Sequence, residues 1–130
     1  MKKLFYSALF YMILGQLFGV FYREYTKMND FTGITQLSTV HTHAFTLGMF
    51  FFLIVLALDK GFSLSSSKNF SKWVILYNAG LLGVLTTMTI RGIGQVNGTE
   101  IASFNYIAGL SHTIFAVAVV WFFVMLKKKI

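Results

Sequence analysis

Cysteine and proline are both missing from the 130 residues, and only four, Glu24, Asp30, Asp59 and Glu100, are acidic. Without thiols the chain can form no disulfide, hold no iron–sulfur cluster and attach no haem through a CxxCH motif. Without proline, helices run on uninterrupted, since proline removes a backbone donor and kinks. Charged residues make up 12% and hydrophobic ones 56%, which excludes an ordinary soluble domain of this size. What is present is grease: fifteen Phe and six Met among long apolar runs. The net charge of +7 would suit nucleic acid. Yet the basic residues sit at the ends of apolar runs and form no aromatic-interleaved stripe, so they read as membrane-orientation signals and nucleic acid is not expected as a partner.

The runs predict an all-α, four-helix transmembrane bundle in a single domain, residues 1–130. Its spans cover about 4–22, 34–58, 73–90 and 101–126, each near the length that crosses a bilayer. The first run, after Lys2 and Lys3, is long enough to span and lacks a small-x-small cleavage site, so it is not read as a secretory signal. Gly15 and Gly19 form a GxxxG spacing that lets a neighbouring helix approach closely, and Gly80 and Gly83 in the third span stand at a close-packing spacing of their own. Gln16 is expected to face the bundle interior. Residues 23–33 and 59–72 read as polar loops. Residues 91–100 read as a glycine-rich turn, which lacks the strand and the Lys-Ser/Thr pair of a phosphate loop. The sequons at Asn69 and Asn97 fall on opposite sides of the membrane and carry no meaning here.

Four spans place both termini on one side. Lys2, Lys3, Lys60, Lys68, Lys72, Lys127, Lys128 and Lys129 share that side, while Arg23, Lys27 and Arg91 fall on the other. The positive-inside bias makes the termini cytoplasmic in a multi-pass protein of the plasma membrane. Tyr22 and Tyr25 are expected at the outer interface, Trp73, Tyr77 and Trp121 toward the inner one, and Tyr106 in the aromatic belt.

All three histidines lie inside apolar spans, where ionisable groups are costly and need a reason. His41 and His43 occur in Val40-His41-Thr42-His43-Ala44, and His112 in Gly109-Leu110-Ser111-His112-Thr113. At about 1.5 Å per residue, His41 lies on the order of 10 Å below the outer entry of the second span, and His43 and His112 each about 13 Å below the entry of theirs. Residues two apart on a helix differ by about 200°, so His41 and His43 face nearly opposite ways. That disfavours a compact three-histidine ion site, whose ligands on one helix usually stand at i, i+3 or i+4. A large planar ligand suits the pattern better. His112 and either His41 or His43 are expected to bind b-type haem, within one bundle or across a subunit contact, with Arg91 on a propionate.

Three duller readings stand beside this one. The histidines could hydrogen-bond to Thr42, Thr46, Ser111 or Thr113 in a non-catalytic membrane assembly protein. They could hold copper or zinc between subunits. Arg91 could merely snorkel to the interface. A proton pump is poorly supported, because no carboxylate accompanies the imidazoles within the spans.

The whole chain resembles a family of small, uncharacterised four-span bacterial membrane proteins, carried by the HTHxxxLG segment from His41 to Gly48 and the GLSHT segment from Gly109 to Thr113. That family implies no particular activity. The His-x-His helix also resembles the haem-bearing helix of the catalytic subunit of haem–copper oxidases and nitric oxide reductases. There the two histidines face two different haems, and twelve helices form three quasi-repeated arcs of four. The likeness implies a haem ligand role for His41 or His43, a homo-oligomer, by analogy a trimer with one arc per chain, and a respiratory-chain partner. The crosslinked-Tyr histidine motif, the second His-His pair for copper and the carboxylate proton channel are missing from this sequence, so oxidase activity is not implied.

Overall fold

The computed structural model describes residues 1–99 and 102–130. It contains four helices long and apolar enough to cross a membrane: α1 (Lys2–Met28), α2 (Leu37–Phe62), α3 (Phe70–Asn97) and α4 (Phe104–Lys127). A single short 3₁₀ turn at Leu64–Ser66 is the only other regular element among the described residues. Glu100 and Ile101, which the sequence reading assigned to the turn and to the start of the fourth span, lie outside the described residues.

All three expected polar connections are partly helical, the 59–72 one because α2 runs to Phe62 and α3 starts at Phe70. α1 continues through Arg23 and Lys27 to Met28, and α3 continues through Arg91 to Asn97. Hydropathy marks where a helix leaves lipid, whereas the backbone stops only where its hydrogen bonds find another use. For α3 that point is Gly98, in the left-handed conformation at φ 69°, which glycine adopts without steric cost. The extra turns are also held from outside. Thr35 Oγ1 donates to the Gly92 carbonyl at 2.8 Å, the Gln36 N–H to Gln95 Oε1 at 2.7 Å, and Tyr25 Oη to Asn97 Oδ1 at 3.0 Å.

α3 is the central element. Half of its most apolar stretch is buried, against 22–28% for the other three helices. α4 packs on it through glycine: a Cβ on Gly80 would stand 2.8 Å from the N and Cα of Phe115, and one on Gly83 would stand 2.9 Å from Ser111 Oγ. In α1, Gly15 faces the Phe45 ring and Gly19 faces His41. The GxxxG spacing is thus used inside the chain, against α2. Gln16, expected inside, is exposed.

Near the chain termini the core is aromatic. Phe51 stacks on Tyr77 with centroids 4.6 Å apart, and Trp73 packs against Phe122 at 5.4 Å. Trp73 and Tyr77 are fully buried, not interfacial as their position in the spans suggested. Each polar atom that made them look interfacial finds a carbonyl instead: Trp73 Nε1 donates to Ala118 O at 2.9 Å, and Tyr77 Oη to Leu47 O at 2.8 Å. Between helices in lipid such bonds and close packing replace the hydrophobic effect as the cohesive force. Both chain ends and the 63–72 connection share one end of the bundle, joined by Lys3 Nζ to Ser71 Oγ at 3.0 Å and Lys129 Nζ to Ser66 Oγ at 2.8 Å.

Candidate functional site: the tethered histidines

α2 is not a uniform helix. Leu37–His43 is α-helical, Ala44–Phe50 is π-helical, and Phe51–Phe62 is α-helical again. A π segment closes i→i+5 hydrogen bonds, is rare, and is frequently found at functional sites. This one begins immediately after His43. It is pinned on two sides, by Tyr77 Oη on the Leu47 carbonyl and by the Tyr11 ring, which lies where a Cβ on Gly48 would otherwise sit. Nothing in residue type or periodicity announced it.

The three histidines fall into two kinds. His43 Nδ1 lies 2.9 Å from Thr39 O, and His112 Nδ1 lies 2.7 Å from Ala108 O, each one turn back on its own helix. A carbonyl oxygen can only accept, so both Nδ1 atoms carry the proton. In the neutral ring this leaves the Nε2 lone pair free. Such a tether sets the tautomer, orients the ring and raises the basicity of the opposite nitrogen, as in many metal-bound histidines. His41 differs: its Nδ1 is buried with no hydrogen-bond partner among the described residues. Its ring lies against Gly19 of α1 and edge-on to Phe45.

Three of the four hydroxyls that could have satisfied the imidazoles are committed elsewhere. Thr46 Oγ1 donates to Thr42 O at 2.7 Å, Ser111 Oγ to Ile107 O at 3.0 Å, and Thr113 Oγ1 to Gly109 O at 2.9 Å. Each bonds its own helix, as hydroxyls in apolar helices commonly do.

The level of each ring along the bundle follows from its neighbours on α3. Ser111 stands against Gly83, which puts His112 at that level. Leu37 lies against Gly92, and the Leu47 carbonyl receives Tyr77. Counted residue for residue, the first anchor puts His43 opposite about residue 86 and the second opposite about residue 81, a range that brackets Gly83. His43 and His112 therefore lie within about one turn of the same level, on two helices that both pack on α3. Around the α2 axis His43 is about 200° from His41, hence on the flank away from α1. His43 is half-buried, and His112 is exposed on the surface of the single chain.

The arrangement does not gather an ion-sized site. Among the described residues no group of three His, Cys, Asp or Glu side chains stands close enough to hold a metal ion. Arg91 is separate again. It lines a cavity of about 400 Å³ between the end of α3 and the start of α4, with Ile90, Ile93, Gly94, Phe104 and Asn105, and no histidine reaches that cavity.

A family described as "Protein of unknown function (DUF2871)" matches residues 1–129. The chain belongs to that family. The match covers all four helices and every histidine, and so sets the DUF2871 domain equal to the whole bundle. No curated protein and no solved structure matches the chain.

Proposed function

We propose that this DUF2871 protein is a multi-pass plasma-membrane protein, termini cytoplasmic, that binds b-type haem through Nε2 of His43 and of His112. The observation that carries the reading is the pair of Nδ1–H tethers to Thr39 O and Ala108 O, which leaves two oriented lone pairs within about a turn of each other along the bundle. The donor chemistry fits the group: haem asks for neutral imidazole nitrogens and an apolar surround, and neither thiol nor carboxylate is needed. Haem held by His43 and His112 would supply one-electron redox chemistry or gas binding. The protein's part is to hold the two rings, fix their tautomer and exclude water. The corresponding roles are electron transfer, gas binding or haem handling, with a respiratory-chain component as partner in the first. His112 is exposed on the single chain, so in this reading its site is covered in a homo-oligomer, a trimer by the arc analogy.

His41 is assigned a packing role against α1, because the ring is boxed by Gly19 and Phe45 and its buried nitrogen is not oriented by any partner. Bare copper or zinc is the weaker alternative, since three donors do not converge among the described residues.

Haem titration into the detergent-purified protein tests the assignment. The wild type and His41→Leu are expected to develop a Soret band at stoichiometric haem, and His43→Ala and His112→Ala to lose at least about tenfold in affinity. Losing either His43 or His112 is expected to cost at least the ~1.4 kcal/mol that a factor of ten represents. Folded His43→Ala and His112→Ala variants that retain full affinity would overturn it. Stoichiometric copper or zinc without porphyrin would transfer the site to a bare metal, and a folded wild type that takes neither would leave the histidines a purely structural part in an assembly protein.

A further inference from the structure

Two sizeable open spaces among the described residues have their polar groups disposed differently. One is a groove of about 410 Å³ between α1 and α3, lined by Lys3, Tyr6, Ser7, Phe10, Val74 and Asn78. Its charged group is already engaged, since Lys3 Nζ donates to Ser71 Oγ, and Asn78 Nδ2 donates to Val74 O at 2.8 Å. The other is the cavity of about 400 Å³ at the α3–α4 junction. Its lining combines apolar Ile90, Ile93 and Phe104 with Arg91 and Asn105.

We infer that the α3–α4 cavity is a binding site for the anionic head of an amphiphile, with Arg91 as the carboxylate- or phosphate-binding group. Three features combine. First, at roughly 30 Å³ per water the volume is on the order of a dozen waters, enough for a head group and the start of a chain and too small for a whole porphyrin. Second, guanidinium offers a planar fork of donors that matches the paired oxygens of carboxylate and phosphate, and its charge is worth most where apolar walls exclude water. Third, the cavity sits at the end of α3 opposite the chain termini, where the apolar stretches of α3 and α4 give way to the connection between them. That is the level at which an amphiphile changes from tail to head. The side chain of a snorkelling arginine needs only water at this level. A lined cavity beside it is the additional feature.

Two sources offer this chemistry: a phospholipid phosphate and a haem propionate. Register separates them in space without choosing between them. Gly80 opposes Phe115 and Gly83 opposes Ser111, so extending the antiparallel pairing brings Arg91 opposite about residue 104. Arg91 thus stands eight residues from the His112 level, about 12 Å along the bundle. The inference holds whether or not haem binds at the histidines.

The test uses the full-length protein in nanodiscs and two pairs of probes. Phosphatidylglycerol is compared with phosphatidylcholine by retention in native mass spectrometry, and haem with its dimethyl ester by titration. For the true source, Arg91→Gln is expected to lower the anionic probe's affinity at least about tenfold and to leave the neutral or esterified partner unchanged. Arg91→Lys should restore part of the loss, since it keeps the charge and loses the fork. Ile93→Trp keeps the arginine and fills the cavity, so it must release the same probe even if Arg91→Gln folds poorly. Loss confined to phosphatidylglycerol assigns a lipid; loss of the distinction between haem and its ester assigns a propionate. Arg91→Gln and Ile93→Trp variants that hold both anionic probes as the wild type does would overturn the inference. Phosphatidylglycerol held through Arg91 by a chain that takes no haem would refute the preceding proposal and leave this one standing.

Discussion

The two ends of this bundle are built by different rules. Toward the chain termini, Phe51, Trp73, Tyr77, Phe115 and Phe122 interlock at centroid distances of 4.6 to 6.4 Å, and the polar ring atoms of Trp73 and Tyr77 end on carbonyls. Toward the other end, Thr35, Gln36 and Tyr25 bond the last turns of α3, but the Nε2 atoms of His43 and His112 stay outside these bonds, His41 Nδ1 has no partner among the described residues, and Arg91 lines a cavity. The first region spends the ring polar atoms of Trp73 and Tyr77 on holding itself together, and there only Tyr11 Oη is buried without a partner among the described residues. The second has kept polar groups for something else, which is what separates a scaffold from a site.

If that division is right, mutations should sort by end. The largest effect is expected for Trp73→Ala, which empties a fully buried ring position and removes the bond to Ala118 O. Cavity formation of that size costs about 3–5 kcal/mol, read as a lower thermal or denaturant midpoint in detergent, at any haem content. Gly80→Ala comes next. Its Cβ would meet the Phe115 backbone, which cannot rotate away, so α3 and α4 must separate. About 1–3 kcal/mol of destabilisation is expected for such overpacking, measurable by the same unfolding curves. The smallest effect sharpens the comparison most. His41→Leu removes a buried nitrogen that has no partner, so stability should be unchanged or raised by up to about 1 kcal/mol. A loss of more than that would reveal a partner for His41 and blur the line between the two ends.

The four helices were legible because hydropathy is a summed property: each run is long, uncharged and free of proline. The helix ends were not. Residues 91–97 look like a turn because of Gly92, Gly94 and Gln95, yet Gly92 serves close packing against Leu37 and Gln95 bonds the entering strand of chain at Gln36. Trp73 and Tyr77 misled for a related reason. Their type suits an interface, and only tertiary structure reveals whether a carbonyl lies within reach of the ring nitrogen or hydroxyl. At the candidate site, the opposed faces of His41 and His43 followed from helical geometry alone. Which of the two is oriented as a donor did not, because that turns on a rotamer and on the Thr39 and Ala108 carbonyls. The π segment was invisible too: it reflects how Tyr11, Gly48 and Tyr77 pack, and no local composition encodes it.

The central claim is that His43 and His112 present free Nε2 lone pairs to one iron. Electron paramagnetic resonance of the ferric, haem-loaded wild-type protein in membranes tests it most directly. Two imidazole ligands predict a low-spin signal that becomes high-spin, or vanishes with the haem, in His43→Ala and in His112→Ala, while His41→Leu keeps it. A folded protein supplied with haem that shows no such signal, or one that depends on His41 alone, would contradict the account.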